Sequence, residues 1–432
     1  MYRKNVFFAA FCMLFLLVSC AKDDCTRVMT YTKHTPIYKS LDEIRVNPTV
    51  EPARELKNPG KIYLYGNLIL INEKGEGVHV IDNANPASPN KLAFISIPGN
   101  IDIAMSGTTL YADNYIDLLA IDVSNIQDVR LKKRVEDAFP SYGSSAEGLL
   151  VAYDSEEVTE EIQCNDQVAI QNAQFGGMQN NPMAMNNVDM NNNTGGVSAS
   201  VAGSGREAIG IGGSMARFAI NGQNLYIVDE QNMNIYDITN AENPTPVNQV
   251  TIGMGWGIET IFPYGDKLFI GSNTGMYIYD NTNPQNPTYI SEFQHATACD
   301  PVFVDGNFAY VTLRGGTNCQ TFSNQLDVID ITNVLNPSLV SSTDMHNPHG
   351  LSVENDKLYL CDGSAGLKVF DVANKQNIGQ NQLFHDASIA TYDAITIPNA
   401  NVLLVVGEDG FHQYNTSDPS NLQVLSHIPV AK

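Results

Sequence analysis

Six ionisable residues have the types and the setting for chemistry: Asp102, Glu259, Asp300, Arg314, His349 and Asp393. Five of them stand at or just before the start of a short apolar run, and Arg314 closes another. Two carboxylates, or a carboxylate and His349, can serve as general acid and base. Carboxylate oxygens gathered at one place can hold Ca²⁺ or another hard cation, or dock a cationic partner. Solvated acids around water are the ordinary alternative. Spacing alone brings no two of these groups to working distance, so none is assigned a catalytic role and the metal question stays open. The chain has no GxSxG, HExxH, Walker loop or EF-hand. Among the seven cysteines there is no CxxC pair, so zinc-finger and thioredoxin chemistry have no support.

The elements that must position these residues come from a repeat. One pattern recurs as GVHVID (77–82), DLLAID (117–122), NMNIYD (232–237), GMYIYD (275–280), QLDVID (325–330), GLKVFD (366–371) and GFHQYN (410–415). Three residues after each copy stands another Asn or Asp: Asn85, Asn125, Asn240, Asn283, Asn333, Asn374 and Asp418. The unit therefore reads as an alternating strand followed by a turn that Asn, Asp and Pro punctuate. A second apolar run precedes each copy, as in NLYIVD (224–229) or KLYLCD (357–362). A third, shorter run lies before that, and a fourth follows the turn, as in TYISEF (288–293).

Four short strands repeating every 40–50 residues or so predict an all-β seven-bladed β-propeller built of four-stranded antiparallel blades. The units start near Asn58, Asn100, Ser214, Gly257, Cys299, Pro348 and Tyr392. The pattern resembles the LVIVD-repeat β-propeller family of bacterial surface proteins, whose strand ends in Asp followed by Ser/Thr-Asn-Pro. Units two and seven depart from it, with Ile126 in place of Pro and Asn415 in place of Asp. In such a fold the first and second strands of each unit meet at one mouth of a central channel. Aligned strand starts place Ile101 or Asp102, Ala216 or Arg217, Glu259, Asp300, His349 and Asp393 there. Aligned second-strand ends add Asp113, Asp229, Glu230, Arg314, Asp362, Glu408 and Asp409, so the mouth is expected to be acidic. Cys299 and Cys319 flank the first two strands of unit five and are predicted to form a disulfide there. Cys25 with Cys164 is a weaker pairing, and Cys361 reads as a buried strand residue. His79 and His412 occupy one place in the first and last units and read as packed strand histidines.

Residues 58–431 are thus the propeller, interrupted between Asp122 and Asp237 by more than twice the usual spacing. Gly148 to Ile162 alternates well enough for an extra hairpin or strand. The stretch at about 165–205 is rich in Asn, Met and Gly and is expected to lack order. Before the repeats, Arg27 to Thr32 alternates well enough for a strand that completes the last blade, with a plain tether as the alternative. Leu41 to Val46 reads as a short helical turn capped by Ser40.

The remaining sequence gives an address. Residues 1–19 have the basic start and the short apolar run of a signal peptide. Leu17-Val18-Ser19-Cys20 resembles the lipobox of bacterial lipoproteins, which implies acylation of Cys20 and a lipid-anchored tether over residues 20–57. Lys22, Asp23 and Asp24 resemble the surface-export signal of Bacteroidetes lipoproteins. Together they imply an outer-membrane protein exposed at the cell surface. With Lys+Arg 24 against Asp+Glu 47, and a formal charge of −23, the chain is unsuited to nucleic acid. The expected function is a binding or scaffold module for a protein, peptide or glycan. The alternative is a carbohydrate-active or other hydrolase or lyase using acids at the mouth.

Overall fold

The computed structural model describes residues 26–141, 143–164, 211–212, 214–253, 257–295, 301–315 and 324–431. Cys20, Lys22, Asp23, Asp24, Cys25, Cys299, Asp300, Cys319 and the 165–205 stretch lie outside the described residues. The chain divides into two compact units, residues 1–37 with 152–191 and residues 38–151 with 192–432.

The second unit is built from the repeat, and the repeat works through its turns. Each terminal Asp accepts a hydrogen bond from the backbone N–H two residues on. The pairs are Asp82 with Ala84 (2.9 Å), Asp122 with Ser124 (3.0 Å), Asp237 with Thr239 (2.7 Å) and Asp280 with Thr282 (2.8 Å). Asp330 with Thr332 (2.8 Å), Asp371 with Ala373 (2.9 Å) and Asn415 with Ser417 (2.8 Å) complete the set. Asn415 thus makes the same Asx turn as the Asp it replaces, because only one side-chain oxygen is needed. Just before each turn the pairing of third and fourth strands slips by one residue, for instance between Val80 and Ile81 and between Val328 and Ile329. A bulge at this place in every copy increases the local twist.

Among the described residues eight sheets result, none closed on itself, where seven were expected. Six are four-stranded antiparallel meanders. Their innermost strands are Ile103–Ser106, Phe218–Asn221, Ile258–Tyr264, Val302–Asp305, Leu351–Glu354 and Thr391–Ile397. The first repeat, with inner strand Pro59–Tyr65, is widened to six strands. Thr49–Pro52 adds outside Asn90–Ser96, and Ile211–Gly212 adds beside Pro59–Tyr65. The eighth sheet joins Thr26–Lys39 to Gly148–Gln163, with Ser144–Ser145 beyond. The first strand of the chain therefore pairs with the 148–163 alternation and not with the last repeat. In the smaller unit Tyr31 Oη donates to Glu160 (2.9 Å), and Cys164 is disulfide-bonded.

Apolar side chains pack between successive sheets. The first three sheets share one cluster around Val80, Leu110, Leu119 and Leu225, and later pairs share others. Ile62, Leu64 and Ile69 of the first sheet pack with Ile395, Leu404 and Phe411 of the last. Burial of this kind contributes about 1.5–3 kcal/mol per large side chain, and no sheet could have it alone. Inner strands touch in the same succession, and the last, Thr391–Ile397, touches the first. Polar contacts join the two end sheets as well. Asn83 and Gln413, both buried, exchange amide hydrogen bonds of 2.9 and 2.7 Å. Ala431 N–H donates to the Leu56 carbonyl at 2.7 Å, beside a parallel bridge between Leu56 and Val430. Ahead of this seam a single helical turn, Leu41–Ile44, carries the expected Ser40 cap in a capping box with Glu43.

Candidate functional site

The strand register defines one position repeated seven times. It precedes the first inner-strand residue that faces the fourth residue of the second strand. Ile62 faces Ile71, Ile103 faces Ala112, Phe218 faces Ile227, and Ala394 faces Val405. The position is filled by Lys61, Asp102, Arg217, Thr260, Pro301, Gly350 and Asp393. One residue earlier stand Glu259 and His349, whose neighbours across the strands include Arg314 and Lys74.

Asp102 is buried and fully satisfied. Its Oδ2 accepts from Lys61 Nζ (2.7 Å), Arg217 N–H (2.7 Å) and Phe218 N–H (3.2 Å), and its Oδ1 accepts from Ile103 N–H (2.7 Å). Lys61 therefore reaches it from the preceding sheet while two amides reach it from the next. Asp393 stands in the same register and is just as buried, yet neither of its oxygens makes a hydrogen bond of normal geometry, the Ala394 amide being the donor that acts on it. The sequence explains the difference. The preceding sheet offers Gly350 where Asp102 finds Lys61, and Lys61 itself is already committed to Asp102. A Cβ on Gly350 would come within 2.2 Å of Asp393 Oδ1, so glycine is what lets the carboxyl lie there. Burial pushes the Asp393 carboxyl up to about 8; the Ala394 amide and Lys61 offset this only in part.

A second group gathers around His349. Its backbone is held by the Cys361 carbonyl (2.7 Å) and by the Thr312 hydroxyl (2.8 Å). Arg314 Nη1 lies against the ring, 3.2 Å from Nε2 and nearer to Nδ1. Burial, then Arg314 and Lys74, hold the imidazole well below its usual range, so it is neutral and accepts from the guanidinium. Glu259 is pushed up to about 7 by burial, against the attraction of Arg314, Arg217 and His295. Lys74 is brought down to about 8 by burial, opposed by Glu73. Thus a carboxyl near 7 stands at the start of Ile258–Tyr264, another near 8 at the start of Thr391–Ile397, and an amine near 8 just after Leu68–Glu73.

Several residues expected at this place prove to hold loops. Asp113 accepts from Asn100 Nδ2 (2.7 Å) and from the Ile101 and Asp102 amides (2.8 and 2.9 Å). Asp229 anchors the Gln231 and Asn232 amides, both at 2.8 Å. Asp362 holds the His346 and Asn347 amides and Lys368 Nζ. Lys61 and Lys74 also stand among these acids. With Arg217 and Arg314 they make this a mixed-charge site, unlike the oxygen cage that Ca²⁺ prefers. Among the described residues, the group of His and acid side chains close enough for a metal ion lies elsewhere, at Asp409, His412 and His427. His349 is engaged by Arg314, Asp102 by Lys61, and no hydrogen bond links Glu259 to Asp393. Lys61 was detectable in the sequence, since it occupies in the first repeat the place of Asp102 in the second.

The LVIVD repeat matches residues 297–345, which span the fifth repeat unit. No curated protein sequence matches the chain. Among solved structures, a putative 6-phosphogluconolactonase from Bacteroides uniformis is similar over 87% of this chain and 99% of its own, at 11% identity and a TM-score of 0.54. A second putative 6-phosphogluconolactonase, from Bacteroides fragilis, is similar over 86% of this chain and 96% of its own, at 10% identity and a TM-score of 0.54. The periplasmic gluconolactonase PpgL from Pseudomonas aeruginosa covers 86% and 96%, at 10% identity and a TM-score of 0.52. At such identities the likeness is one of fold. This chain is an all-β protein of four-stranded antiparallel sheets, similar to β-propeller-like proteins. Among the described residues no helix is long and apolar enough to cross a membrane.

Proposed function

We propose that the chain is a surface lipoprotein whose seven repeat sheets are the blades of one propeller, and that its inner-strand ends bind a partner. Cys20 is the acylated residue, residues 1–19 are its signal peptide, and Lys22, Asp23 and Asp24 direct the anchored protein outward. Succession of the apolar clusters from sheet to sheet, and the return of the last sheet to the first, support a wheel of seven blades. The observation that carries the binding role is Asp393. A buried polar group without a partner costs about 1–3 kcal/mol, and native structures rarely leave one without a water or ligand to meet it. Asp102, in the same register, shows that the fold can satisfy a carboxyl there. Asp393 is the copy left open, with Lys61 and Asp102 the charged groups that act on it.

The ligand brings both a hydrogen-bond donor and an acceptor, as the polar groups of a peptide or protein and the hydroxyls of a glycan do. Peptide and glycan arrays probed with wild-type protein and with Asp393→Ala distinguish these sources. Loss of about tenfold or more in affinity for the selected ligand in Asp393→Ala is expected, the effect of removing about 1.4 kcal/mol of contact. Equal binding by the two proteins, with both folded, refutes the assignment.

A further inference from the structure

A separate cluster lies on the last sheet. Asp409 occupies the turn between Val402–Gly407 and Gly410–Asn415, and His412 is the third residue of the latter strand. His427 faces His412 from the outermost strand, Gln423–Pro429. Asp409 Oδ1 lies 2.8 Å from His412 Nε2, and Oδ2 lies 3.7 Å from His427 Nε2. The two imidazoles stack with centroids 4.0 Å apart, and one ligand atom from each of the three residues lies within 4.8 Å of the others.

The first sheet supplies the control. There His79 takes the place of His412 and lies 2.8 Å from Glu73, but its cross-strand neighbour is Phe94. Glu73 is fully buried and also accepts from the Lys57 and Asn58 amides, while Arg54 covers the Phe94 ring. That His–carboxylate pair is complete and sealed. In the last sheet a second imidazole replaces the phenyl ring, and the carboxylate is half-exposed with the two histidines as its side-chain partners. The same frame has become a three-donor set in which Asp409 and His427 are exposed and His412 is buried.

We propose that Asp409, His412 and His427 bind a first-row transition-metal ion, with Zn²⁺ the best match. Two imidazoles and a carboxylate are donors that Zn²⁺ accepts, with water in the fourth position. Tetrahedral Zn²⁺ places its donors about 3.3 Å apart, so the cluster closes by an ångström or so. Stacked rings aim their lone pairs side by side. His427, on the outermost strand and over a third exposed, must therefore turn its ring to share an ion with His412. Such an ion would tie the Asp409 turn to the terminal strand. The Asp409 carbonyl already accepts from Val430 N–H at 2.9 Å, next to the seam with Leu56.

The test is titration of the chelator-treated full-length protein with Zn²⁺ and with Co²⁺, reading heat, melting temperature and the visible absorption of Co²⁺. Expected are one bound ion, a rise in melting temperature with added Zn²⁺, and a tetrahedral Co²⁺ spectrum. His427→Phe copies the first sheet and Asp409→Asn keeps the size of the side chain. Both variants should weaken binding by about tenfold or more while melting, without metal, near wild type. Absence of binding at about 100 μM Zn²⁺, far above the range of structural sites, overturns the proposal. So does equal affinity in His427→Phe.

Discussion

Replacing Asp393 by Asn should change how stability depends on pH. The native carboxyl titrates near 8 because burial disfavours its charge, whereas an unfolded aspartate titrates near ~3.9. Between those values the unfolded chain gives up a proton that the native protein keeps. Stability therefore falls as pH rises through this window, the reverse of a salt-bridged aspartate. Each pH unit inside the window costs about 1.4 kcal/mol, so moving from pH 5 to 7 removes about 3 kcal/mol through this one group. Asn cannot ionise, and its own lack of partners costs the same at every pH. Glu259, raised to about 7, contributes a slope of the same sign in both proteins and cancels from their difference. Urea unfolding at a series of pH values would measure it. The variant should gain on wild type steadily from pH 5 to 8, while the two should be closest near pH 4. Parallel curves would show that Asp393 is ionised in the native protein, and the argument from burial would fail.

Other expectations follow from the same structure. Gly350→Ala places a methyl group 2.2 Å from Asp393 Oδ1 and should destabilise by about 1–3 kcal/mol, as overpacking does; thermal melting reads it. Gln413→Leu strands the Asn83 amide at the seam between first and last sheets, at a cost of about 1–3 kcal/mol, whereas the double variant with Asn83→Leu should recover part of it. Asp102→Asn leaves Lys61 free to face Asp393, so the pH dependence described above should shrink in that background; unchanged behaviour would show that the lysine does not choose between the two acids. Cys20→Ser should move the protein from the membrane fraction to the soluble one on cell fractionation.

The turns were the most legible part of the chain, because an Asx turn is local: Asp330 meets the amide of Thr332, two residues on. Seven such turns in register give strand order and the four-strand unit without reference to distant residues. The first sheet's extra strands and the eighth sheet were not legible in this way. Thr49–Pro52 and Ile211–Gly212 find their edges by long-range pairing, and alternation alone does not say which edge a strand will join. Arg27 to Thr32 shows the same limit, since its partner is the 148–163 strand and not the last repeat. At the site, aligned strand starts found Asp102, Glu259, His349 and Asp393, but not what distinguishes them. Asp102 and Asp393 look alike in sequence. Their difference lies in the preceding sheet, where one meets Lys61 and the other Gly350. The Asp409 cluster was hidden for a related reason. His412 and His427 become neighbours through a pairing that slips by one residue between Gln413 and Tyr414, and such a bulge leaves no mark in the alternation.

Infrared spectroscopy tests most directly whether Asp393 is a neutral, unpartnered carboxyl at the proposed binding site. The difference spectrum between wild type and Asp393→Asn at pH 7 should contain the carbonyl stretch of one protonated carboxylic acid, at the high frequency of a group without strong hydrogen bonds. That band should shift when the array-selected ligand is added. A difference spectrum showing only ionised carboxylate bands, or a protonated band that ligand leaves in place, would contradict the account.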